Sequence, residues 1–293
     1  MIIKLEFESG GELPRWVGSY LYKGLRYYMR RIVCERGSGC SGCDFSEECP
    51  YFQIYVKDFS SVRKSPPVRP VFLVPPYFSE SKRVDRGYIL DIRLLIFRGI
   101  EEWIPYLILA LNELGKQGLV GSNRNNRRIF KVKEIINSGD GGIVYDGRAL
   151  YTNRITIYNS EDIYYKLGGV IEIDFWVPMH FPGSGGLENL LGLIRSRLTN
   201  LEREYGVSKQ IPEYRVDYRV IKSDIDSIKL NYRRGDIKFK INAIIGAIKY
   251  EINEMDKIAN WLLSLGAHIG AGKYAVFGCG FYKIKNENGS YFE

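Results

Sequence analysis

The order in which strand-like and helical segments alternate is the strongest constraint in this sequence. Ile2 to Phe7 alternates and predicts a strand, ended by Gly10-Gly11. Pro14 to Val33 has helical spacing. Trp16, Tyr20, Gly24, Tyr28 and Ile32, with Val17, Leu21 and Leu25, are expected to face a core. Val71 to Val74, between prolines, and Tyr88 to Phe97 predict strands, Glu101 to Leu114 a strongly apolar helix with Pro105 in its first turn, and Ile129 to Ile135 a further strand. The order is β-α-β-β-α-β. It then recurs: a strand at Val170 to Val177, a helix at Leu187 to Tyr205, strands at Tyr214 to Ile221 and Ile237 to Tyr250, a helix at Met255 to Leu265 and a last strand at Val276 to Ile284. Between the two sets lies a Gly/Asp-rich stretch, in which Ile143 to Tyr145 and Arg154 to Tyr158 are expected to add a small hairpin.

Two such sets predict an α+β protein of two tandem ferredoxin-like, RRM-like domains. The expected division is a first domain over 1–137, a linking segment over 138–168 and a second domain over 169–293. A length of 293 residues with a 45% apolar share suits two cores. Lys and Arg outnumber Asp and Glu by 42 to 34, giving a net charge of +8. A basic balance of this size favours polyanionic partners, with RNA or DNA first. No secretory leader and no apolar run approaching the ~20 residues of a membrane span is visible, so a cytoplasmic protein with no membrane partner is expected.

Inserted in the first domain, Cys34, Cys40, Cys43 and Cys49 are spaced C-x5-C-x2-C-x5-C. Four thiolates suit a closed, tetrahedral structural zinc site with Zn–S near ~2.3 Å. An iron–sulfur cluster or two disulfides are the alternatives. Cys279 stands apart and is expected to be packed.

The first helix carries a polar face. Arg15, Ser19, Tyr22, Lys23, Arg26 and Arg30 lie along one side, bordered by Tyr27. Such a stripe either is a solvated helix face or meets phosphate. Arg124, Arg127, Arg128 and Lys131 form a basic cluster, with asparagines at 123, 125 and 126. Its two readings are backbone phosphate contact and a charged turn. The segment from Leu265 to Phe281 holds five glycines (Gly266, Gly270, Gly272, Gly278 and Gly280) and Lys273 between a helix and the last strand. Exposed amides of such a loop cradle phosphate oxygens, and Lys273 would add a point charge. Tyr274 after Lys273 sets the loop apart from a nucleotide P-loop.

Taken whole, Leu265-Gly266, Gly272-Lys273 and Phe277-Gly278-Cys279-Gly280 resemble the carboxyl-terminal glycine signature of the CRISPR repeat-processing endoribonucleases of the RAMP superfamily. Asn242 to Ile252, around Ile245-Gly246, is similar to the segment before it. Trp103 to Gly115, running into Gly118 to Gly121 and Arg127 to Phe130, resembles the first-domain helix and basic turn of one branch of that family. So does the block ending Cys49-Pro50-Tyr51 after Gly18 to Leu21. The resemblance implies a CRISPR precursor-RNA endoribonuclease whose partner is repeat RNA and whose catalysis uses no cofactor. The 2′-hydroxyl attacks the adjacent phosphate, leaving a 2′,3′-cyclic phosphate and a 5′-hydroxyl. That step takes a base, an acid and a cation. Here Tyr22, Lys23, Arg26, Tyr27 and His268 are the candidates for catalysis. Arg30, Arg124, Arg127, Arg128, Lys131, Gly270, Gly272, Lys273, Gly278 and Gly280 are the candidates for holding RNA. Many relatives place a histidine on the first helix, whereas this chain has only His180 and His268. That difference favours a second reading, a non-catalytic guide-RNA-binding subunit working with other CRISPR effector subunits. A third is a zinc-containing DNA-binding regulator built on the cysteine block.

Overall fold

A computed structural model describes residues 1–34, 39–40, 42–57, 68–97, 99–119, 127–181, 185–205, 211–234, 237–272 and 274–292, without the side chains of 232–239. Arg124 and Lys273 lie outside these residues. The chain divides into two compact units, Met1–Thr156 and Ile157–Glu293.

In the first unit, β1 (Ile2–Phe7), β3 (Val71–Val74), β5 (Ile89–Ile96), β6 (Phe130–Ile136) and β7 (Ile143–Tyr145) form one sheet in the order β3-β5-β1-β6-β7. Every pairing in it is antiparallel. The short strands β2 (Gly11–Leu13) and β4 (Lys82–Val84) pair separately. Alternation places Ile3, Leu5 and Phe7 of β1 in the core. Helix α1 (Gly18–Val33) buries Leu21, Leu25 and Met29, and α2 (Ile104–Gln117) buries Leu107, Leu111 and Leu114. The two helices approach closely at Gly24, where a Cβ would stand 2.4 Å from Leu114. Tyr20, expected in the core, is 44% exposed, because the buried stripe of α1 runs through Leu21, Leu25 and Met29 instead.

In the second unit, β8 (Gly169–Met179), α3 (Leu187–Tyr205), β9 (Val216–Arg234), β10 (Ile237–Met255), α4 (Lys257–Ile269) and β11 (Lys283–Lys285) follow one another. The sheet order is β11-β8-β10-β9, again antiparallel. Written by position within each set, both sheets therefore read 4-1-3-2, the ferredoxin-like topology, with β7 added at one edge of the first. Strands β9 and β10 make a hairpin far longer than the sequence pattern implied, paired from Arg234↔Ile237 to Val216↔Met255. A bulge between Ile244 and Gly246 relieves it against β8. Gly246 is required there: at φ 112° its Cβ would meet the Asp224 carbonyl at 2.2 Å.

Two expectations are corrected. The stretch Arg154 to Tyr158 forms no strand; a 3-10 turn spans Thr152–Arg154. The last strand is only Lys283–Lys285, preceded by a 3-10 turn at Ala275–Phe277. Gly278 and Gly280 have φ of 82° and 83°, which no continuous strand accommodates.

Candidate nucleic-acid interface

With Leu21, Leu25 and Met29 turned inward, α1 leaves Lys23, Arg26 and Tyr27 exposed and Tyr22 and Arg30 half-buried. What holds the arginines is a pair of tyrosines that sequence reasoning did not single out. A π-helical turn over Phe52–Val56 follows the cysteine block and delivers Tyr51 and Tyr55 against α1. Arg26 Nε donates to the Tyr51 hydroxyl at 3.2 Å, and the Arg30 guanidinium lies 5.9 Å from the centre of the same ring. Tyr22 meets Tyr55 edge-on at 5.9 Å, and Tyr55 in turn lies 5.5 Å from Tyr51. Burial first, and the neighbouring Tyr22 next, push the Tyr55 phenol well above its ordinary range, so Tyr55 packs and takes no part as a base. The one visible signal for this pair was their i, i+4 spacing after Cys49-Pro50.

Tyr22, Arg26 and Arg30 are therefore gathered into one cation–aromatic cluster. Tyr27 belongs to a neighbouring group: it meets Tyr28 edge-on at 5.0 Å, and its hydroxyl accepts from Arg31 Nη1 at 3.5 Å.

The basic cluster after α2 is divided. Arg128 is 8% exposed, and its guanidinium covers Gly11, where a Cβ would fall 1.9 Å from Nε. Its backbone pairs with Leu119. The Arg128 side chain thus lies at the rim of the core. Lys131 lies 3.6 Å from a Glu6 carboxylate oxygen and 3.7 Å from one of Glu8, which offsets its charge locally. Arg127 Nη1 donates to Gln117 at 2.8 Å.

The glycine segment departs most from expectation. The Gly270 amide donates to the Gly266 carbonyl at 2.9 Å, Gly278 to Ala275 at 2.8 Å and Gly280 to Pro178 at 2.8 Å. These three amides are engaged within the chain itself, and all three residues are buried. The glycines serve close packing. A Cβ on Gly280 would stand 2.0 Å from the Ala271 carbonyl oxygen, and one on Gly270 would stand 3.0 Å from the Phe281 ring. What the segment offers besides the half-buried Gly272 is a stacked aromatic pair, Tyr274 and Phe277, with centroids 6.3 Å apart and planes 17° from parallel.

Besides His268, at the end of α4, His180 just after β8 also stands at this loop. Its ring meets Tyr274 edge-on at 5.6 Å, and its carbonyl faces Gly272. His180 Nδ1 lies 2.9 Å from the Asn242 carbonyl, which can only accept, so the proton of the neutral ring sits on Nδ1 and the lone pair on Nε2. His268 Nε2 instead meets the Tyr165 hydroxyl at 2.5 Å, with Tyr165 stacked on Phe292 at 5.4 Å.

Cys34, Cys40, Cys43 and Cys49 line one cavity, with Tyr51, Phe52 and Tyr106 among its other walls. Burial pushes the Cys40 thiol up; Arg30 offsets this in part, and the three other thiols add to it. The four are thus near neighbours, although among the described residues no three His, Cys, Asp or Glu side chains converge on a point ready for a metal ion. Cys279 is buried, as expected.

The topology of both units and the contents of these surfaces define a tandem ferredoxin-like protein with a cationic, tyrosine-braced first helix. The chain belongs to the AF_1859 family: the model of its N-terminal domain matches residues 1–160 and that of its C-terminal domain residues 171–284. An uncharacterized protein of Archaeoglobus fulgidus is 28% identical over 278 residues, covering 94% of this chain and 93% of the relative. Among solved structures, a Cas6 product complex matches with a TM-score of 0.55 and 14% identity, over 96% of this chain and 98% of that one. Cas6 of Thermus thermophilus matches with a TM-score of 0.50 and 12% identity, over 96% and 95%. A RAMP protein described as binding different RNA substrates matches at 0.50 and 12%, over 97% and 98%. The chain has the fold of Cas6 and RAMP proteins, as its glycine and helix motifs implied.

Proposed function

We propose that the protein binds CRISPR repeat RNA and cuts it without a catalytic metal. The observation that carries this reading is the cluster of Arg26 and Arg30, braced by Tyr51 on the first helix. It stands in a fold shared with Cas6 along nearly the whole chain. Two guanidiniums fixed on a helix face suit a phosphate whose negative charge grows as the 2′-hydroxyl attacks. Lys23 adds a third cation, Tyr22 supplies a proton for the leaving 5′-oxygen, and the attacking 2′-hydroxyl gives its own proton to water. The Tyr274–Phe277 pair suits stacking on unpaired bases, which every base tolerates. His180, with Nδ1 held by the Asn242 carbonyl, is the candidate acid–base group of that second surface.

A second reading has its own support. The first helix carries no histidine, which favours a subunit that holds guide RNA without cutting it. Incubation of the protein with end-labelled repeat RNA, with EDTA and in parallel without it, separates the two. A single cut in both, ending in a 2′,3′-cyclic phosphate, supports the nuclease. Tight binding with intact RNA supports the binder. Loss of cutting with retained binding in Tyr22→Phe, Lys23→Ala, His180→Ala or His268→Ala would locate the chemistry.

A further inference from the structure

We propose that Cys34, Cys40, Cys43 and Cys49 bind one zinc ion, which pins the end of α1 to the turn that carries Tyr51. The outer two cysteines stand at the ends of the elements to be joined. Cys34 terminates α1 in an extended conformation, its amide donating to the Arg30 carbonyl at 2.9 Å. Cys49 precedes the π-helical turn, and its carbonyl accepts from the Gln53 amide at 3.0 Å. The inner two are joined by a tight turn, with the Cys43 amide 3.4 Å from the Cys40 carbonyl. Gly42 in that turn has φ 74°, and open space surrounds both it and Gly39.

Gln53 Nε2 reaches into this segment, donating to the Glu47 carbonyl at 2.8 Å and to the Ser46 carbonyl at 3.4 Å. The backbone bonds within 40–49 are 3.1 to 3.4 Å long, and Phe45 is 58% exposed. A stretch with so little core of its own is the kind that a metal staples. All four cysteines line the same cavity, and the two glycines leave the chain free to draw the sulfurs into a tetrahedron. Each thiol gives up its proton to water on binding, so a four-thiolate zinc carries a net charge of about −2. The Arg30 guanidinium, one turn before Cys34, faces the Tyr51 ring.

The test uses the full chain. Protein purified without chelator is assayed for metal by mass spectrometry. Chelator-treated protein is then titrated with cobalt(II) and followed by visible absorption. One zinc per chain, one cobalt per chain with thiolate charge-transfer bands, and bleaching of those bands by zinc support the proposal. Cys40→Ser and Cys43→Ser are expected to lose the bands. Stripping zinc should lower the melting temperature of the wild-type chain by several degrees and leave that of the serine variants unchanged. Iron–sulfur absorption, cysteines lost to disulfides under non-reducing conditions, or four thiols equally reactive with and without metal would each overturn it. None of these outcomes depends on whether the protein cuts RNA.

Discussion

Arg26 and Arg30 are held by a phenol and an aromatic face, so neither contact neutralises their charge. Burial weighs against the Arg26 charge, but the Tyr51 hydrogen bond and three tyrosines together hold its pKa above the ordinary arginine value. Arg26 therefore remains a full cation for a phosphate. Replacing either arginine with alanine is expected to weaken RNA binding and to reduce the slope of log affinity against log salt by about 0.7 per lost single-strand contact. Tyr51→Phe keeps both charges and removes the hydroxyl acceptor. Its affinity should fall less, with the slope unchanged, and filter binding at several salt concentrations distinguishes the two patterns. A different residue supports the frame of the second unit: the buried Tyr282 hydroxyl donates to the Leu263 carbonyl of α4 at 2.7 Å. Tyr282→Phe should cost about 1–2 kcal/mol in urea unfolding and leave RNA cleavage intact.

At the scale of elements, the glycine segment shows how far pattern reading reaches. Five glycines between a helix and a strand identified a special backbone, and the structure confirms positive φ at Gly270, Gly272, Gly278 and Gly280. The sequence could not say whether those conformations free amides or permit packing, because that depends on β8 lying alongside with its Pro178 carbonyl. Gly280→Ala is accordingly expected to destabilise the fold by about 2–4 kcal/mol, from strain at positive φ and collision with the Ala271 carbonyl, measured as a lowered urea midpoint. Helix α3 was legible to its end residues, since an amphipathic repeat from Leu187 to Tyr205 has little competition. The β9–β10 hairpin was longer than its pattern because Lys222, Ser223, Asp224, Asp226 and Ser227 leave only Ile225 apolar over that stretch and give no period-2 signal. The Tyr51–Tyr55 brace was hidden for another reason. A π-helical turn has no sequence signature, and its role exists only against α1. Arg128 reads as surface charge in any sequence, and only the bare backbone of Gly11 gives it a place to lie flat.

At the scale of the whole molecule, two units of the same topology carry different chemistry: a cationic helix face in the first, an aromatic loop with a histidine in the second. No described helix is long and apolar enough to cross a membrane. A net charge of +8 would serve duplex DNA as well as RNA, so charge alone does not decide between an RNA protein and a DNA-binding regulator. Stacking surfaces do decide, because they need unpaired bases. The most direct measurement is competition for the full chain between repeat RNA and duplex DNA of the same sequence, at one fixed salt concentration. The RNA is expected to bind at least about fivefold tighter, by roughly the 1–3 kcal/mol that one stacked base contributes. Equal affinity, or preference for the duplex, would contradict the account.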